Sequence, residues 1–495
     1  MLTRQRFVSD VIWNPRSQSG DESLHFKENA LKVFFLIVTL AWLHPLLAQT
    51  NSESIPPGVV VDKVTVQAAP DQSYALYLPE NYTPQKQWPT VFCLDPRGRG
   101  KTALERFVPA AQKYGYIVVC SNNSRNGLNG STVSKIFTDF WADTHTRFSI
   151  DERRTYAAGF SGGSRLAAMF ASRCRGCLAG VIANGAGFPA DIQPDAKTSF
   201  LYYGIVGIDD FNFAEMWDLE KKFDGLGLTY HFEAVSGGHE WAAAESLMAA
   251  FAWLTLQSMK SGVVGKDDKF LEEQFTTRLN QTEQFLTAQR LVQAQKEFLS
   301  LSRDFQGFRD VSVVTQKAAE LLKSPDLKRE KKAEEDLHQR QLREAGEIRT
   351  LWLKPFDPDD SRPSRAEAKA KLADWRKKKE AEIDSADRRL ARRVLSHTMI
   401  QSVEAAQANL NQKDYAGALT NYELARQADP KNFNLAYETA RVYALKGEKK
   451  SALQTLEESV SLGFKDLSRL KGEEAFSTFS DEPRFQKLLI SLSTH

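Results

Sequence analysis

A surplus of charge of either sign is missing from this chain. Its 65 lysine and arginine residues nearly balance 63 aspartate and glutamate residues over 495 positions, which leaves a formal net charge of +2. We therefore expect no field over the whole molecule that would steer nucleic acid toward it. The hydrophobic share of 42% is ordinary for a globular protein, so composition excludes neither an enzyme nor a binding scaffold.

Long apolar runs are scarce as well. The only one covers residues 33–47 and is followed by Ala48, a small residue suited to signal cleavage. His44 and Pro45 cut this run short of the roughly 20 residues that a membrane-spanning helix needs. Residues 1–48 are therefore predicted to be a signal peptide with a polar N-terminal extension, and the protein to be secreted or periplasmic. A membrane anchor is the alternative if the segment is not cleaved.

Cysteine is the third scarcity, with four residues in the whole chain, all of them before residue 178. Cys174 and Cys177 have the C-x-x-C spacing of a redox pair, but no thioredoxin-like strand precedes them. A local structural disulfide and buried free thiols are the two interpretations that this leaves. No second C-x-x-C or histidine pair completes a zinc site, so the sequence predicts neither a metal nor a cofactor.

The order of sequence patterns along the chain predicts several domains, since a single core rarely grows beyond about 250–300 residues. Between residues 57 and 262, eight strand candidates, one of them at 155–159, alternate with helical periods. This pattern is typical of a doubly wound α/β domain with a mostly parallel sheet. Residues 267–393 lose the strands and are rich in charged helix formers, so we expect an all-α region there. Its basic run at 375–379 is followed by acidic residues, which favours a solvated helix face over a nucleic-acid site.

A repeat emerges in residues 394–495 when the chain is compared with itself at a shift of 34 residues. Ala418, Tyr422 and Pro430 occupy the small, aromatic and proline positions of a tetratricopeptide repeat. A second unit is imperfect, because Lys449 stands at the tyrosine position. We expect a tetratricopeptide-like module of about two repeats that binds a protein partner and is independent of catalysis.

The sharpest chemical motif is GFSGG at residues 159–163, between an apolar strand candidate and an alanine-rich helical run. The serine of a G-x-S-x-G motif sits on a tight strand-to-helix turn, where the flanking positions tolerate no bulky side chain. Ser161 is therefore the predicted nucleophile. The backbone amide of Gly162 is predicted to be one donor of the oxyanion hole.

A serine nucleophile needs a histidine to take its proton and a carboxylate to orient the imidazole. Only His231 and His239 follow Ser161 within the same predicted domain. His231 lies inside an alternating strand, whereas His239 lies on a glycine loop after the last strand, so His239 is the predicted base. Asp209 and Asp210 both follow the preceding strand and are candidates for the acid.

The second oxyanion donor is expected from the loop at residues 95–100, which follows the strand candidate at 90–94. Pro96 has no N–H, so the amide of Arg97 or Gly98 must serve, and we assign it to Arg97. The arginine side chains of this loop could also favour an anionic substrate, although exposed loop arginine is the commoner explanation.

Three segments together resemble secreted esterases related to polyhydroxybutyrate depolymerases and feruloyl esterases: LYLP at 76–79, GFSGG at 159–163 and GGHEW at 237–241. These esterases are α/β-hydrolases, so the resemblance implies that fold for the first domain. It also implies that Asp210, which stands in the superfamily's Gly-x-x-Asp arrangement, is the acid. The sequence departs from these esterases at residues 95–96, where they usually carry His-Gly and this chain carries Asp-Pro.

The leading hypothesis is an exported carboxylic-ester hydrolase that forms an acyl-enzyme on Ser161. Its substrate would be a small-molecule or polymeric ester, and its C-terminal repeats would bind a protein partner. One alternative is a serine peptidase of the prolyl-oligopeptidase type, which shares the order of the triad along the chain. The other is a non-catalytic adaptor with a relic hydrolase domain. The presence of Ser161, Asp210 and His239 argues against the adaptor, and the altered oxyanion loop argues for it.

Overall fold

The computed structural model describes residues 55–354, 364–383 and 385–493. The predicted signal segment at residues 1–48 lies outside this part of the chain. Over the described ranges, no helix combines the length and the apolar character needed to cross a membrane.

An eight-stranded sheet forms the centre of the N-terminal domain, with the strand order β1-β2-β4-β3-β5-β6-β7-β8. Strand β2 pairs antiparallel with both β1 and β4, and every other neighbouring pair is parallel. The strands are β1 (Val60–Val66), β2 (Ala69–Tyr77), β3 (Trp88–Leu94), β4 (Ile117–Ser121), β5 (Ile150–Phe160), β6 (Gly180–Asn184), β7 (Leu201–Gly207) and β8 (Tyr230–Val235).

Helices cover both faces of this sheet, which is why β3, β4 and β6 are buried along their whole length. The five helices of the domain are α1 (Gly100–Tyr114), α2 (Gly130–Arg147), α3 (Gly162–Cys174), α4 (Phe213–Gly225) and α5 (Ala244–Lys260). One apolar core lies between the sheet and α2, α3 and α4, and the other lies between the sheet and α1 and α5. The predicted doubly wound α/β domain is therefore confirmed.

All eight predicted strands are present, and β2 and β5 differ most from their predicted bounds, because both begin earlier than predicted. The reason is clearest for β5. This strand begins at Ile150, whereas the sequence predicted a strand only from residue 155. Its first half contains Glu152, Arg153 and Arg154, whose charges hide the strand pattern in the sequence. Helix α3 ends at Cys174, which forms a disulfide with Cys177, one of the two interpretations given above.

After α5 the described chain is helical throughout. The helices are α6 (Asp268–Thr287), α7 (Leu291–Phe305), α8 (Ser312–Lys323), α9 (Pro325–Leu353), α10 (Ser364–Lys379), α11 (Ala386–Asn411), α12 (Tyr415–Ala428), α13 (Phe433–Leu445), α14 (Lys449–Ser461), α15 (Leu467–Gly472) and α16 (Pro483–Ser493), with a 3₁₀ helix at Glu474–Phe479. The domain boundary placed at residues 393/394 falls inside α11. Arg393 and Val394 are both buried there, because the change in composition does not interrupt the helix.

A buried polar network fixes the first helical pair to the sheet. His231 on β8 lies with its Nδ1 atom 2.9 Å from Ser300 Oγ on α7, and Arg278 on α6 lies 2.7 Å from Asp304 on α7. Burial, together with the nearby Arg278 guanidinium, lowers the pKa of His231 to about 3. His231 therefore stays neutral inside this network, where its contacts are structural. It does not take the role that the sequence predicted for His239.

Candidate active site

Ser161 lies on the sharp turn between β5 and α3. Its backbone has φ 53° and ψ −120°, a left-handed conformation that is strained for a residue with a side chain. A Cβ atom at Gly159 would overlap the backbone of Gly163, and one at Gly163 would overlap the carbonyl oxygen of Leu94. The two glycines are thus required by the close approach of strand and helix, as the motif predicted.

The three predicted triad residues meet at the carboxyl edge of the sheet. His239 Nε2 is 2.8 Å from Ser161 Oγ, and His239 Nδ1 is 2.9 Å from Asp210 Oδ2 and 3.0 Å from Asp210 Oδ1. Asp210 is fully buried and also accepts a hydrogen bond from the backbone amide of Asn212 at 2.8 Å. These contacts orient the carboxylate toward the imidazole, and the imidazole toward the hydroxyl.

Asp209, the other candidate for the acid, has a different partner. Its carboxylate forms an ion pair with Arg392 on α11. Of the two carboxylates that the sequence offered, Asp210 is the one hydrogen-bonded to His239 among the described residues.

Aromatic rings and one asparagine hold the histidine in place. The rings of Phe160 and Phe211 lie 4.8 Å and 4.4 Å from the His239 ring, between centroids. Asn184, at the end of β6, accepts from the amide of Ser161 through its carbonyl at 2.8 Å and from the amide of Ala242 through Oδ1 at 2.7 Å. Asn184 thus ties the nucleophile turn to the histidine loop. Sequence reasoning missed it, because an asparagine at a strand end carries no distinguishing pattern.

The prediction that the Arg97 amide completes the oxyanion hole is wrong. That amide donates to the side chain of Asp95 at 2.8 Å, and the amide of Gly98 donates to the Asp95 carbonyl at 3.1 Å. The Arg99 amide also faces the Asp95 carboxylate, at 3.4 Å. The amides of these three residues are therefore bound within the loop itself. The Gly162 amide stands in the first turn of α3, where helix amides have no partner within the helix.

Asp95 links this loop to the histidine loop. Its buried carboxylate accepts from the Trp241 indole at 2.9 Å and pairs with the Arg99 guanidinium at 2.9 Å. Burial alone would raise the pKa of this carboxyl, but the hydrogen bonds from Arg99, Trp241 and the Arg97 amide outweigh it and hold the pKa below its usual value. Asp95 therefore stays charged, in the place where the resembling esterases usually have histidine.

A pocket of about 750 Å³ opens over Ser161 and Gly162, a size typical of small-molecule sites. One wall comes from the α/β domain and the other from α9 and α11. One face of α11 turns its polar side chains into the pocket, at the three- and four-residue spacing of a single helix side. They are His397, Gln401, Glu404, Gln407 and Asn411. The sequence did not predict this wall.

The charged side chains of the pocket belong to both walls. Arg165 on α3 forms two hydrogen bonds of 2.7 Å with Glu215 on α4. Burial raises the pKa of Glu404 above its ordinary value, and the nearby Arg165 and His239 oppose that rise. Among the described residues, no group of three or more His, Cys, Asp or Glu side chains is arranged to hold a metal ion.

The helical region also contacts the loop that carries Asp210. Arg393 donates from Nε to the carbonyl oxygen of Ile208 at 2.8 Å, and Gln341 donates from Nε2 to that of Phe211 at 2.6 Å. Contacts from α11 and α9 thus lie on both sides of the acid. The expectation that residues 394–495 are independent of catalysis does not fit this arrangement, because their first helix lines the pocket.

No protein-family model matches the chain, and no curated protein matches it. Among solved structures, the chain is similar to an S-formylglutathione hydrolase from Staphylococcus aureus, with 16% identity, a TM-score of 0.35, and coverage of 40% of this chain and 96% of that one. It is also similar to a ferulic acid esterase (18% identity, TM-score 0.33, 40% and 97% covered). A third is a hyperthermophilic esterase from the archaeon Pyrobaculum calidifontis (14% identity, TM-score 0.33, 41% and 87% covered).

The fold itself follows from the geometry described above. The nucleophile turn lies between a strand and a helix at the carboxyl edge of a mostly parallel sheet, and Ser161, Asp210 and His239 follow one another in the order typical of this architecture. Residues 55–262 therefore have the α/β-hydrolase fold that the sequence motifs predicted.

Proposed function

We propose that this protein is a serine hydrolase that cleaves carboxylic esters through an acyl-enzyme on Ser161. The observation that carries the proposal is the continuous chain of contacts from Ser161 Oγ through His239 to Asp210, at the floor of an open pocket. A serine hydroxyl is a weak nucleophile unless a neighbouring base takes its proton. The contacts supply that base and its orientation, and the pocket supplies room for a substrate.

The first half of the reaction forms the acyl-enzyme. Ser161 Oγ attacks the ester carbonyl carbon while His239 Nε2 accepts the hydroxyl proton, and the carbonyl oxygen becomes an oxyanion. The Gly162 amide donates a hydrogen bond to this oxygen. When the tetrahedral intermediate collapses, the C–O bond to the alcohol breaks, and His239 returns the proton to the departing alkoxide.

The second half releases the acid. A water molecule enters the position that the alcohol has left, gives a proton to His239 and attacks the acyl carbon. Collapse of the second tetrahedral intermediate breaks the bond to Ser161 Oγ, which recovers its proton from His239. Asp210 stays ionised throughout and stabilises the imidazolium that forms in each half.

Substrate preference separates the proposed esterase from the peptidase alternative. We expect kcat/KM for short p-nitrophenyl esters to exceed that for dipeptide p-nitroanilides by a wide margin, with the ester activity absent from a Ser161→Ala variant. Ser172→Ala is the matched control, because Ser172 lies on α3, the helix that follows Ser161, and its hydroxyl donates to the Ala168 carbonyl at 2.8 Å. Anilide turnover as fast as ester turnover would favour the peptidase.

We further propose that the protein is exported and that the C-terminal repeats at residues 394–495 bind a protein partner. Export is supported by the apolar run at residues 33–47 followed by Ala48. Partner binding is supported by full burial of the small residues of the repeat pattern, which lets paired helices approach closely. They are Ala406, Ala418, Ala425, Ala440 and Ala452.

A further inference from the structure

An oxyanion hole normally has two donors, and three amides of the loop after β3 are already bound within that loop. The amides of Arg97 and Gly98 are bound to Asp95, and the Arg99 amide faces the same carboxylate. We propose that the side-chain amide of Asn126 is the second donor. This inference rests on the proposed ester hydrolysis and adds a catalytic residue to it.

Asn126 lies on the loop after β4, directly beside the first donor. A Cβ atom built on Gly162 would overlap Asn126 Oδ1 and would lie 2.8 Å from its Cγ atom and 3.0 Å from its Nδ2 atom. The amide group of Asn126 therefore covers the Cα atom of the residue whose N–H is the first donor. A side chain at position 162 would displace the Asn126 amide from this place.

The backbone around Asn126 is fixed to the loop that has lost its free amides. The Asn126 N–H donates to the Pro96 carbonyl at 2.9 Å, and Arg125 pairs with Arg97 in an antiparallel bridge. The side chain itself is exposed and lines the same pocket as Ser161. It makes no hydrogen bond to any other residue of the described part of the chain, so its donor is free for a substrate.

The chemistry of this position is that of a neutral hydrogen-bond donor. As Ser161 Oγ bonds to the carbonyl carbon, the C=O π electrons move onto oxygen, and the Gly162 N–H and the Asn126 Nδ2–H donate to that charge. Collapse of the intermediate restores the C=O bond and releases both hydrogen bonds. The two ends of an asparagine amide exchange places by a half-turn about its terminal torsion, so Nδ2 can face the pocket.

The test is the steady-state kinetics of Asn126→Ala and Asn126→Asp with a p-nitrophenyl ester. Loss of one oxyanion donor is expected to lower kcat by about 10²–10³-fold while KM changes little. Asn126→Asp keeps the shape, removes the donor and adds a negative charge, so its kcat should be at least as low. Asn280→Ala is the control, because Asn280 is an exposed amide on α6 outside the residues that line the pocket, so its kcat and KM should both stay near those of the wild type.

A second readout separates a donor from a merely structural role. Replacing the carbonyl oxygen of the substrate by sulphur weakens the hydrogen bonds that the oxyanion accepts. The ratio of the ester rate to the thionoester rate should therefore be smaller in Asn126→Ala than in the wild type. Wild-type kcat in folded Asn126→Ala, or an effect confined to KM, would overturn the inference and leave the proposed function intact. A folded wild type that hydrolyses no ester would overturn both.

Discussion

Replacing Asp210 by asparagine should lower kcat for ester hydrolysis by about 10⁴-fold and leave the domain folded. The carboxylate accepts the Nδ1 proton of His239 and so keeps Nε2 free to take the proton of Ser161. An asparagine keeps the size of the side chain and can still accept from the Asn212 amide, but it favours the wrong imidazole tautomer. The measurement is kcat with a p-nitrophenyl ester, with circular dichroism as the check on folding.

Asp209→Asn is the matched control for this experiment. It changes the neighbouring carboxylate, which pairs with Arg392 and does not contact the imidazole. Its kcat should stay far above that of Asp210→Asn. If Asp209→Asn were the crippling change and Asp210→Asn the mild one, the assignment of the acid would be wrong.

Replacing Arg393 by methionine should impair both catalysis and stability. Arg393 is 1% exposed, donates to the Ile208 carbonyl and lies 4.2 Å over the Phe213 ring. Burial lowers its pKa to about 10, so it remains charged at neutral pH. Without it the carbonyl of the half-buried Ile208 loses its donor, which costs roughly 1–3 kcal/mol of unfolding free energy.

The catalytic effect of Arg393→Met arises through Asp210, two residues beyond Ile208. A shift of about 1 Å in a catalytic group can cost on the order of 10²-fold in rate, so kcat should fall by roughly 10–100-fold. KM should change less, because Arg393 does not line the pocket. Arg393→Lys should recover part of kcat, which marks Arg393 as a positioning residue.

Arg389→Met provides the comparison on the same helix. Arg389 pairs with Glu334 on α9, and among the described residues no hydrogen bond or ion pair joins its side chain to the loop that carries Asp210, so kcat should stay near that of the wild type. Wild-type kcat in a folded Arg393→Met variant would show instead that α11 is only a scaffold. Denaturant unfolding followed by circular dichroism measures the stability of both variants.

The sequence predicted those parts of the site that are encoded locally. Ser161 and its glycines are specified within five consecutive residues, and the neighbouring glycines distinguish His239 from His231 as the candidate base. The doubly wound sheet was equally predictable, because apolar strands and helical periods alternate within short windows. What neighbouring residues encode is visible without a structure.

The missed parts depend on side-chain directions or on contacts between distant segments. The sequence does not show that the Asp95 side chain accepts the hydrogen bond of the Arg97 amide, which is why Arg97 was predicted as an oxyanion donor. The pocket wall on α11 follows Ser161 by more than 200 residues, and its mostly uncharged polar side chains resemble an ordinary solvated helix face. Deletion of residues 394–495 would remove most of that wall, so full ester turnover is not expected of such a truncation.

Covalent labelling tests the central claim that Ser161 is an active nucleophile. The full chain is incubated with a fluorophosphonate, and the modified peptide is identified by mass spectrometry in the wild type and in Ser161→Ala. We predict one adduct, on Ser161, and none in the variant. A folded wild type that carries no adduct, or a Ser161→Ala variant that is labelled as strongly as the wild type, would contradict the account.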